Sequence, residues 1–343
     1  MTDGVVGLGV VGLGFMGHRY ARFISRIDGA RLAGVCDLDG ALARQVADEC
    51  GGRVYADAAA LASSADVAGV VVCTPEDRHV EPALAALEAG KPLLVEKPVA
   101  HSLDAARSIA DAAVQHGVPV LVGHLLRFEG RWVAAHQRLQ AGAIGDVVSI
   151  ATRRVGNILD QEVLRGRTTI PLYYGVHDLD VMRWFAGSEA VRIYAARRSG
   201  AVRAAGYDVD DLYCAVLSFE NGVLGSAELG WHVPASAVAA RTSGVTIVGT
   251  RGVIRIEQGE TGVECWTDGG VERGLETTFW PEAYHVPGGA LGLEIRHFVD
   301  CVRGRSAPAI SLGDAVEALR LSLAMAASAA HGAPIDLKEF GQP

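Results

Sequence analysis

The first 125 residues alternate short runs rich in Val and Leu with longer stretches rich in Ala, Leu and Glu. The short runs are apolar at nearly every position, which is typical of strands covered on both faces of a parallel sheet. The longer stretches fit crossover helices, so this half predicts a doubly wound parallel sheet. The predicted strands are Val5–Leu13, Arg31–Asp37, Ala68–Cys73, Pro92–Val95 and Val118–Gly123, and the predicted helices are Gly17–Ile27, Leu38–Cys50, Val80–Gly90 and Ser102–Gly117.

The pattern changes after residue 126, where the apolar runs become longer and richer in β-branched residues. Asn221-Gly222 and the segment Gly249–Gly252 each separate two such runs, as β-hairpin turns do. We therefore expect residues 1–125 to form one domain and residues 126–343 a second α/β domain with an open, largely antiparallel sheet. The predicted strands are Val147–Val155, Val191–Arg198, Asp211–Phe219, Val223–His232, Gly244–Val248 and Val253–Glu257, followed by helices at Leu291–Arg303 and Asp314–His331.

Composition narrows the class of protein. The chain is 50% hydrophobic and 21% charged, a globular balance, and its formal charge of −9 argues against a nucleic-acid partner. It has no run of ~18 apolar residues for a membrane helix and no basic N-terminal region of a secretory signal. The six cysteines show no CxxC pair and no metal-ligand spacing, so we expect reduced thiols, a cytoplasmic location and no bound metal.

Two overlapping GxGxxG matches lie near the N-terminus, one at Gly7, Gly9 and Gly12 and one at Gly12, Gly14 and Gly17. The motif must follow a strand and open a helix, and only the second match has enough apolar residues before it. In that frame the first glycine permits a tight turn, the second lets the backbone approach a pyrophosphate and the third lets helix and strand pack closely. The pyrophosphate then meets the positive end of the helix, so the second frame predicts a dinucleotide-binding loop.

Asp37 stands 20 residues after Gly17, at the end of the next apolar run. Its carboxylate would accept hydrogen bonds from the adenosine ribose hydroxyls and repel a 2′-phosphate. Leu38 follows, and no Arg lies immediately beside Asp37 to offset that repulsion. We therefore expect NAD as the cofactor in preference to NADP.

Polar residues also follow later strands of the predicted parallel sheet, at the edge where such sheets bind ligands. Thr74-Pro75 ends one strand, and Glu96-Lys97-Pro98 ends another and places a carboxylate and an ammonium near the expected nicotinamide. His79, near the start of a helix, and His124, after a strand, are each a cofactor contact or a structural residue.

Five segments of the chain together carry a family resemblance, and the closing segment around Glu294–Gly304 adds to it. The five segments are Gly12–Gly17, Thr74-Pro75, Glu96–Pro98, Gly123–Phe128 and Gly175–Asp180. They resemble the glucose–fructose oxidoreductase, inositol dehydrogenase and MocA family of nicotinamide-dependent enzymes. The resemblance implies a Rossmann domain and an open-faced α/β domain whose sheet often forms oligomer contacts, here in a homodimer or homotetramer. It also implies that Lys97 contacts the reacting oxygen, Glu96 fixes the nicotinamide ribose and His177 is a second acid–base group. The expected cofactor contacts are Gly12, Gly14, Phe15, Met16, Gly17, Asp37, Thr74, Pro75, His79, Glu96, Lys97 and His124.

One position departs from the family pattern, in which an Asp often stands four residues before the histidine. That residue here is Tyr173, and if Pro171 opens a helix, Tyr173 and His177 share one face. Tyr173 either donates to the substrate oxygen or stacks on a sugar ring, and Asp180 is a candidate carboxylate partner for His177. The expected catalytic residues are Lys97, His177 and Tyr173, and the expected substrate contacts are Lys97, Arg153, Asn157, Tyr173, His177 and Trp231.

The main hypothesis is an NAD-dependent dehydrogenase that oxidises a secondary hydroxyl of a sugar, a cyclitol or a sugar derivative by hydride transfer. One alternative is a nucleotide-sugar ketoreductase, for which Arg153, Arg154, Arg165 and Arg167 could bind a diphosphate. The other alternative is a non-catalytic NAD-sensing regulator on the same fold. The absent family Asp favours the regulator, and the intact lysine and histidine argue against it.

Overall fold

A computed structural model of the chain describes residues 4–157, 160, 164–233, 241–257, 263–268, 270–273 and 277–341. Contacts divide the chain into two compact units. The first comprises Met1–Glu129 and Thr278–Val316, and the second comprises Gly130–Thr277 and Glu317–Pro343. The first break lies close to the division expected at residue 125, whereas residues 278–316 return to the first unit.

The strands in chain order are β1 (Val6–Val11), β2 (Ala30–Cys36), β3 (Arg53–Val54), β4 (Gly69–Val72), β5 (Leu93–Val95), β6 (Val120–Val122), β7 (Val147–Asn157), β8 (Ala190–Arg198), β9 (Leu212–Phe219), β10 (Leu224–Val233), β11 (Arg241–Gly249), β12 (Gly252–Glu257), β13 (Glu264–Thr267), β14 (Gly270–Arg273), β15 (Glu282–Ala283), β16 (Val286–Pro287) and β17 (Ile335–Asp336). The α-helices are α1 (Phe15–Ile24), α2 (Gly40–Cys50), α3 (Ala58–Ala62), α4 (Val80–Glu88), α5 (Leu103–His116), α6 (Gly130–Gln140), α7 (Val176–Ala186), α8 (Ala201–Ala204), α9 (Gly289–Val302) and α10 (Leu312–His331). Within the described ranges, no helix combines the length and the apolar character needed to cross a membrane.

The first unit is built on a six-stranded sheet in the order β3-β2-β1-β4-β5-β6, with every pairing parallel. Strands β1, β4, β5 and β6 are buried at every position, as their continuous apolar pattern predicts. The strand order reverses between β1 and β4, so the loops after these two strands meet where such sheets bind ligands. The predicted doubly wound Rossmann sheet is confirmed.

Three helices of this unit begin at a side-chain cap. The side chains of Asp39, Asp57 and Ser102 accept backbone N–H bonds from the first turns of α2, α3 and α5. Helix α1 begins two residues before its expected start because Gly14 takes the N-cap position. Among the described residues no side chain caps α1, and its first turn is free of acidic residues. Its N–H groups and positive dipole end therefore suit an anion.

Helix α9 belongs to the first unit although it lies far along the chain. Its residues Leu291, Ile295 and Phe298 join the hydrophobic core that also contains Ile24 of α1. This packing brings the fully buried Glu294 of α9 against Tyr20 of α1.

The second unit is built on a seven-stranded sheet in the order β12-β11-β7-β10-β9-β8-β17. The β7–β10 pairing is parallel and the other five pairings are antiparallel. Gly222, with a φ of 86°, lies in the turn between β9 and β10, and Gly249 pairs with Gly252 at the turn between β11 and β12. Both predicted hairpins and the open, largely antiparallel sheet are confirmed.

Candidate functional site

The loop between β1 and α1 has three glycines with three different surroundings. Gly12 has a φ of 83°, and a Cβ atom there would lie 2.6 Å from the Thr74 backbone nitrogen. A Cβ atom on Gly17 would lie 1.8 Å from the Gly12 carbonyl oxygen. A Cβ atom on Gly14 would meet nothing within 4 Å among the described residues. The first and third glycines are therefore required by the protein's own packing, and the second faces open space where a ligand can approach the backbone.

The structure explains why the first GxGxxG match, at Gly7, Gly9 and Gly12, does not form the dinucleotide-binding loop. Gly7 and Gly9 lie inside β1, where a Cβ atom would clash with Asp66 and Leu61 respectively. These two glycines serve sheet and helix packing and do not form a loop.

Phe15, the first residue of α1, is 60% exposed beside the glycine loop. Its ring packs edge-on against Trp280 at 6.0 Å, and the Arg19 guanidinium lies 3.6 Å from its centre. Trp280 was not expected near the loop, because no sequence motif links residue 280 to residue 15. Met16, the residue after Phe15, is partly buried against the hydrophobic core of the first unit.

Asp37 follows β2 and faces the glycine loop. One carboxylate oxygen accepts the Leu13 N–H at 2.6 Å, and the other accepts the Asp39 N–H at 2.8 Å. Two carboxylate oxygens offer about four acceptor positions, so capacity remains for ribose hydroxyls. The bond to Leu13 holds the carboxylate in place beside the loop, as the prediction for a ribose-binding Asp requires.

The turns after β4 and β5 are tied together by His79. This histidine is 1% exposed, and its Nε2 lies 2.8 Å from the Thr74 carbonyl oxygen while its Nδ1 lies 3.0 Å from that of Pro98. The Lys97–Pro98 peptide is cis. His79 therefore links the predicted Thr74-Pro75 segment to the Glu96-Lys97-Pro98 segment, and a direct cofactor contact for it stays a prediction.

Glu96 lies at the centre of a buried hydrogen-bonded cluster in the first unit. Its Oε2 accepts the Lys97 backbone N–H at 3.0 Å, and its Oε1 lies 3.2 Å from the Tyr20 hydroxyl. The same hydroxyl lies 2.5 Å from Oε2 of Glu294. A Cβ atom on Gly123, the residue before the buried His124, would lie 3.4 Å from the Glu96 side chain.

Burial is the largest cause of the raised pKa values in this cluster. It raises the pKa of Glu294 to about 8, with a further contribution from the charge of Glu96. Burial also raises the pKa of Glu96, although the Lys97 charge and backbone N–H oppose it. The pKa values of Tyr20 and Cys73 are raised by burial and by the two neighbouring carboxylates. Sequence reasoning named Glu294 only as part of the family resemblance. It missed Tyr20 and the contact between these two residues, which stand 274 residues apart.

In the second unit, a π-helical turn at Pro171–Gly175 runs directly into α7. Such turns occur frequently at functional sites, and Pro171 lies at the start of this one. The ring centres of Tyr173 and Tyr174 lie 6.4 Å and 5.9 Å from that of Trp231. Trp231 is 1% exposed whereas Tyr173 is half-buried, so the Tyr173 ring is the more accessible of the two to a ligand.

His177 lies half-buried in the first turn of α7, next to a buried ion pair. The Arg154 Nε of β7 lies 2.6 Å from the Asp178 Oδ2. Burial raises the pKa of Asp178, although Arg154 acts in the opposite direction. Asp180, the candidate partner of His177, is fully buried. The structure thus uses Asp178 to fix α7 to the sheet, and it leaves the role of Asp180 a prediction.

Arg153 and Arg154 lie on opposite faces of β7, because successive side chains alternate across a strand. Arg153 is exposed and pairs with Glu228 at 3.3 Å, whereas Arg154 points inward to Asp178. The four arginines at 153, 154, 165 and 167 therefore do not form one diphosphate-binding cluster. Asn157, at the end of β7, is 6% exposed, and its substrate contact stays a prediction, as does that of Arg153.

Two family descriptions match the chain. "Oxidoreductase family, NAD-binding Rossmann fold" matches residues 6–124, and "Oxidoreductase family, C-terminal alpha/beta domain" matches residues 136–337. The first range contains the glycine loop and Lys97, and the second contains Tyr173 and His177. The expected cofactor, NAD, is confirmed by the first description.

Several of the similar curated proteins are inositol dehydrogenases. Inositol 2-dehydrogenase 2 of Saccharopolyspora erythraea is 36% identical over 232 residues, which cover 65% of this chain and 66% of that protein. Inositol 2-dehydrogenase of Rubrobacter xylanophilus is 33% identical over 261 residues, which cover 73% and 71%. The crystal structure of scyllo-inositol dehydrogenase from Lactobacillus casei with NAD(H) and scyllo-inositol matches 98% of this chain and all of that one, with a TM-score of 0.85. At 23% identity, this last likeness shows the fold.

Proposed function

We propose that this chain, which belongs to the GFO/IDH/MocA oxidoreductase family, is an NAD-dependent dehydrogenase that oxidises a secondary hydroxyl of a cyclitol or a related sugar. The observation that carries the proposal is at the carboxyl edge of the first sheet. There the glycine loop, Asp37 and the Glu96-Lys97 dipeptide follow β1, β2 and β5 of the same parallel sheet. Binding groups for a dinucleotide and a lysine that can polarise the substrate oxygen thus share one edge.

The residues at this edge fit NAD. The open space above Gly14 lets a pyrophosphate approach the backbone, and the uncapped N-terminus of α1 supplies N–H groups and positive potential. The Asp37 carboxylate, which accepts a hydrogen bond from the Leu13 N–H, would also accept hydrogen bonds from the ribose hydroxyls and would repel a 2′-phosphate. Glu96 would hold the nicotinamide ribose, as the family resemblance implies.

Oxidation of a hydroxyl requires removal of a hydride from carbon and a proton from oxygen. Bound NAD supplies the hydride acceptor. Lys97 polarises and orients the substrate oxygen through its ammonium group. His177 takes the hydroxyl proton, because an imidazole titrates near neutral pH. Tyr173 either shares that proton transfer or stacks its accessible ring on the C–H face of the substrate.

A cyclitol or related sugar is the substrate class that the relatives support, since both curated relatives above are named for inositol. The nucleotide-sugar alternative cannot use all four arginines in one cluster, because Arg153 and Arg154 point to opposite faces of β7.

The proposal is tested by following NAD reduction with purified protein over a panel of cyclitols, free sugars and nucleotide sugars, with NADP in parallel. We expect turnover with NAD on cyclitols or closely related sugars and a slower rate with NADP. Tight NAD binding without turnover on any member of the panel would favour the non-catalytic regulator instead.

We also propose a cytoplasmic homo-oligomer in which a second copy covers the outer face of the seven-stranded sheet. Tyr194 and Val216 are 44% and 54% exposed, and cross-strand pairing sets them in one row with Ser226 and Ala151. A row of this kind on an uncovered sheet is typical of an interaction surface. Light scattering should give a dimer or tetramer for the wild type and a smaller species for Val216→Glu. An unchanged mass for that variant would place the interface elsewhere.

A further inference from the structure

The hydroxyl of Tyr20 lies within hydrogen-bond distance of two buried carboxyl groups, and it has one proton to donate. Glu96 is 3.2 Å away and Glu294 is 2.5 Å away. If both carboxyls were ionised, one of them would face the lone pairs of the tyrosine oxygen without a proton between them. Both contacts are hydrogen bonds only when one carboxyl is protonated and donates to Tyr20, which then donates to the other.

We propose that Glu294 is held as a neutral carboxylic acid that donates to Tyr20, and that Tyr20 in turn donates to Glu96 and fixes this carboxylate beside Lys97. Glu294 and Tyr20 are positioning residues in this arrangement. The purpose of the relay rests on the proposed function, because Glu96 and Lys97 are expected to meet the cofactor and the substrate. The relay itself is a property of the protein without ligands.

The surroundings of the two carboxyls decide which one carries the proton. Glu96 accepts a backbone N–H and lies next to the positively charged Lys97, and both favour its ionised form. Glu294 is fully buried, and its Oε1 has no hydrogen-bond partner among the described residues. A buried carboxyl with so little support is more stable when protonated.

The charged and titratable groups around Glu294 come from several elements. Helix α1 contributes Tyr20, the end of β4 contributes Cys73, and the end of β5 contributes Glu96 with Lys97. The turn at Leu125–Phe128, which packs on α9, carries Arg127, and this guanidinium lies 3.6 Å from Asp314. On α9 itself, the His297 ring packs on Phe128 one turn after Glu294.

The relay makes the stability of the protein depend on pH in a defined direction. The folded-state pKa of Glu294, about 8, lies above the ordinary carboxyl value of 4.5. Its contribution to stability is therefore complete below the unfolded pKa and is lost as the pH rises through about 8. A glutamine at this position keeps a donor for Tyr20 and cannot ionise.

The first experiment measures thermal unfolding of the ligand-free protein between pH 5 and pH 9 for the wild type, Glu294→Gln and Asp300→Asn. Asp300 is a matched control because it is a carboxylate on the same helix that pairs with Arg305 at 3.8 Å outside the cluster. We expect the melting temperature of Glu294→Gln to rise relative to the wild type as the pH increases toward 8, and Asp300→Asn to follow the wild type. Parallel profiles for the wild type and Glu294→Gln would overturn the proposal.

The second experiment measures NAD affinity by calorimetry. Tyr20→Phe removes the donor to Glu96, and we expect NAD to bind roughly fivefold more weakly. Glu294→Gln should keep the wild-type affinity within about twofold, because its amide replaces the carboxyl proton. Equal losses in both variants would show that the cluster needs an ionised Glu294, against the proposal. Neither experiment requires turnover, so a failure of the proposed dehydrogenase activity would leave the test of the relay intact.

Discussion

The glycine loop of the first unit and the Tyr173–His177 segment of the second unit are built in different ways. The loop is fixed by the backbone: Gly12 and Gly17 are forced by contacts closer than any side chain allows. The second segment is fixed by side chains, through the packing of tyrosine rings on Trp231 and the buried pair of Arg154 and Asp178. The first arrangement therefore suits a constant cofactor, and the second lets accessible residues change while the fold persists.

In the Tyr173–His177 segment, the largest expected effect of a substitution is on turnover and not on the stability of the fold. His177→Asn should lower turnover by roughly 10²–10⁴-fold, the usual contribution of a general acid–base group. Its melting temperature should stay near that of the wild type, because His177 is only half-buried. Steady-state kinetics with NAD and the preferred substrate check this. A variant with wild-type turnover would remove His177 from the mechanism.

Arg153 and Arg154, neighbours on β7, show which polar contacts of the second unit stabilise the fold. Asp178→Ala should lower the free energy of unfolding by about 3–5 kcal/mol, because it leaves the buried Arg154 without its carboxylate. Arg153→Ala breaks the exposed pair with Glu228 and should change stability by less than about 1 kcal/mol. Urea denaturation of both variants measures the contrast. Equal destabilisation by Asp178→Ala and Arg153→Ala would contradict the assignment of Arg154 to the buried face of β7 and Arg153 to the exposed face.

The two glycines of the loop separate packing from ligand binding. Gly17→Ala should destabilise the first unit by about 3 kcal/mol, since its Cβ would overlap the Gly12 carbonyl. Gly14→Ala meets open space, so its stability should change by less than about 1 kcal/mol while NAD binds at least about tenfold more weakly. Thermal unfolding and NAD titration of the pair check this. Unchanged NAD affinity in Gly14→Ala would place the pyrophosphate elsewhere.

A smaller effect is expected at Asp37, where the backbone loop meets a side chain. Asp37→Ser should improve the NADP-to-NAD ratio of kcat/KM by about tenfold, or 1.4 kcal/mol, because it removes a carboxylate that faces the 2′ position. The same variant loses the carboxylate bonds to Leu13 and Asp39, so its NAD affinity should also fall. If the ratio does not change, cofactor choice is set by another residue.

The sequence predicts the glycine loop and its sheet in the first unit more completely than the Tyr173–His177 segment of the second unit. Continuous apolar runs define the buried strands, and the spacing from Gly17 to Asp37 identifies the frame of the loop, because backbone geometry admits few residue types there. Helix boundaries differ by two residues where a cap decides them, at Gly14 and at Asp39.

The remaining parts depend on contacts between distant positions. Nothing in the local pattern indicates that Glu294 reaches Tyr20 or that Trp280 packs on Phe15, because helix α9 and its flanking residues return to the first unit from far along the chain. The opposite orientations of Arg153 and Arg154 were available from the two-residue period of β7, in which Ile150, Thr152 and Arg154 share the buried face.

The central claim is that Lys97 acts on the substrate oxygen in an NAD-dependent oxidation. The most direct test compares NAD binding and NAD reduction for the wild type and Lys97→Met with the preferred cyclitol or sugar. We predict that Lys97→Met binds NAD within about threefold of the wild type and loses turnover by at least about 10³-fold, because the polarising ammonium is gone. Turnover within about tenfold of the wild type would contradict the account.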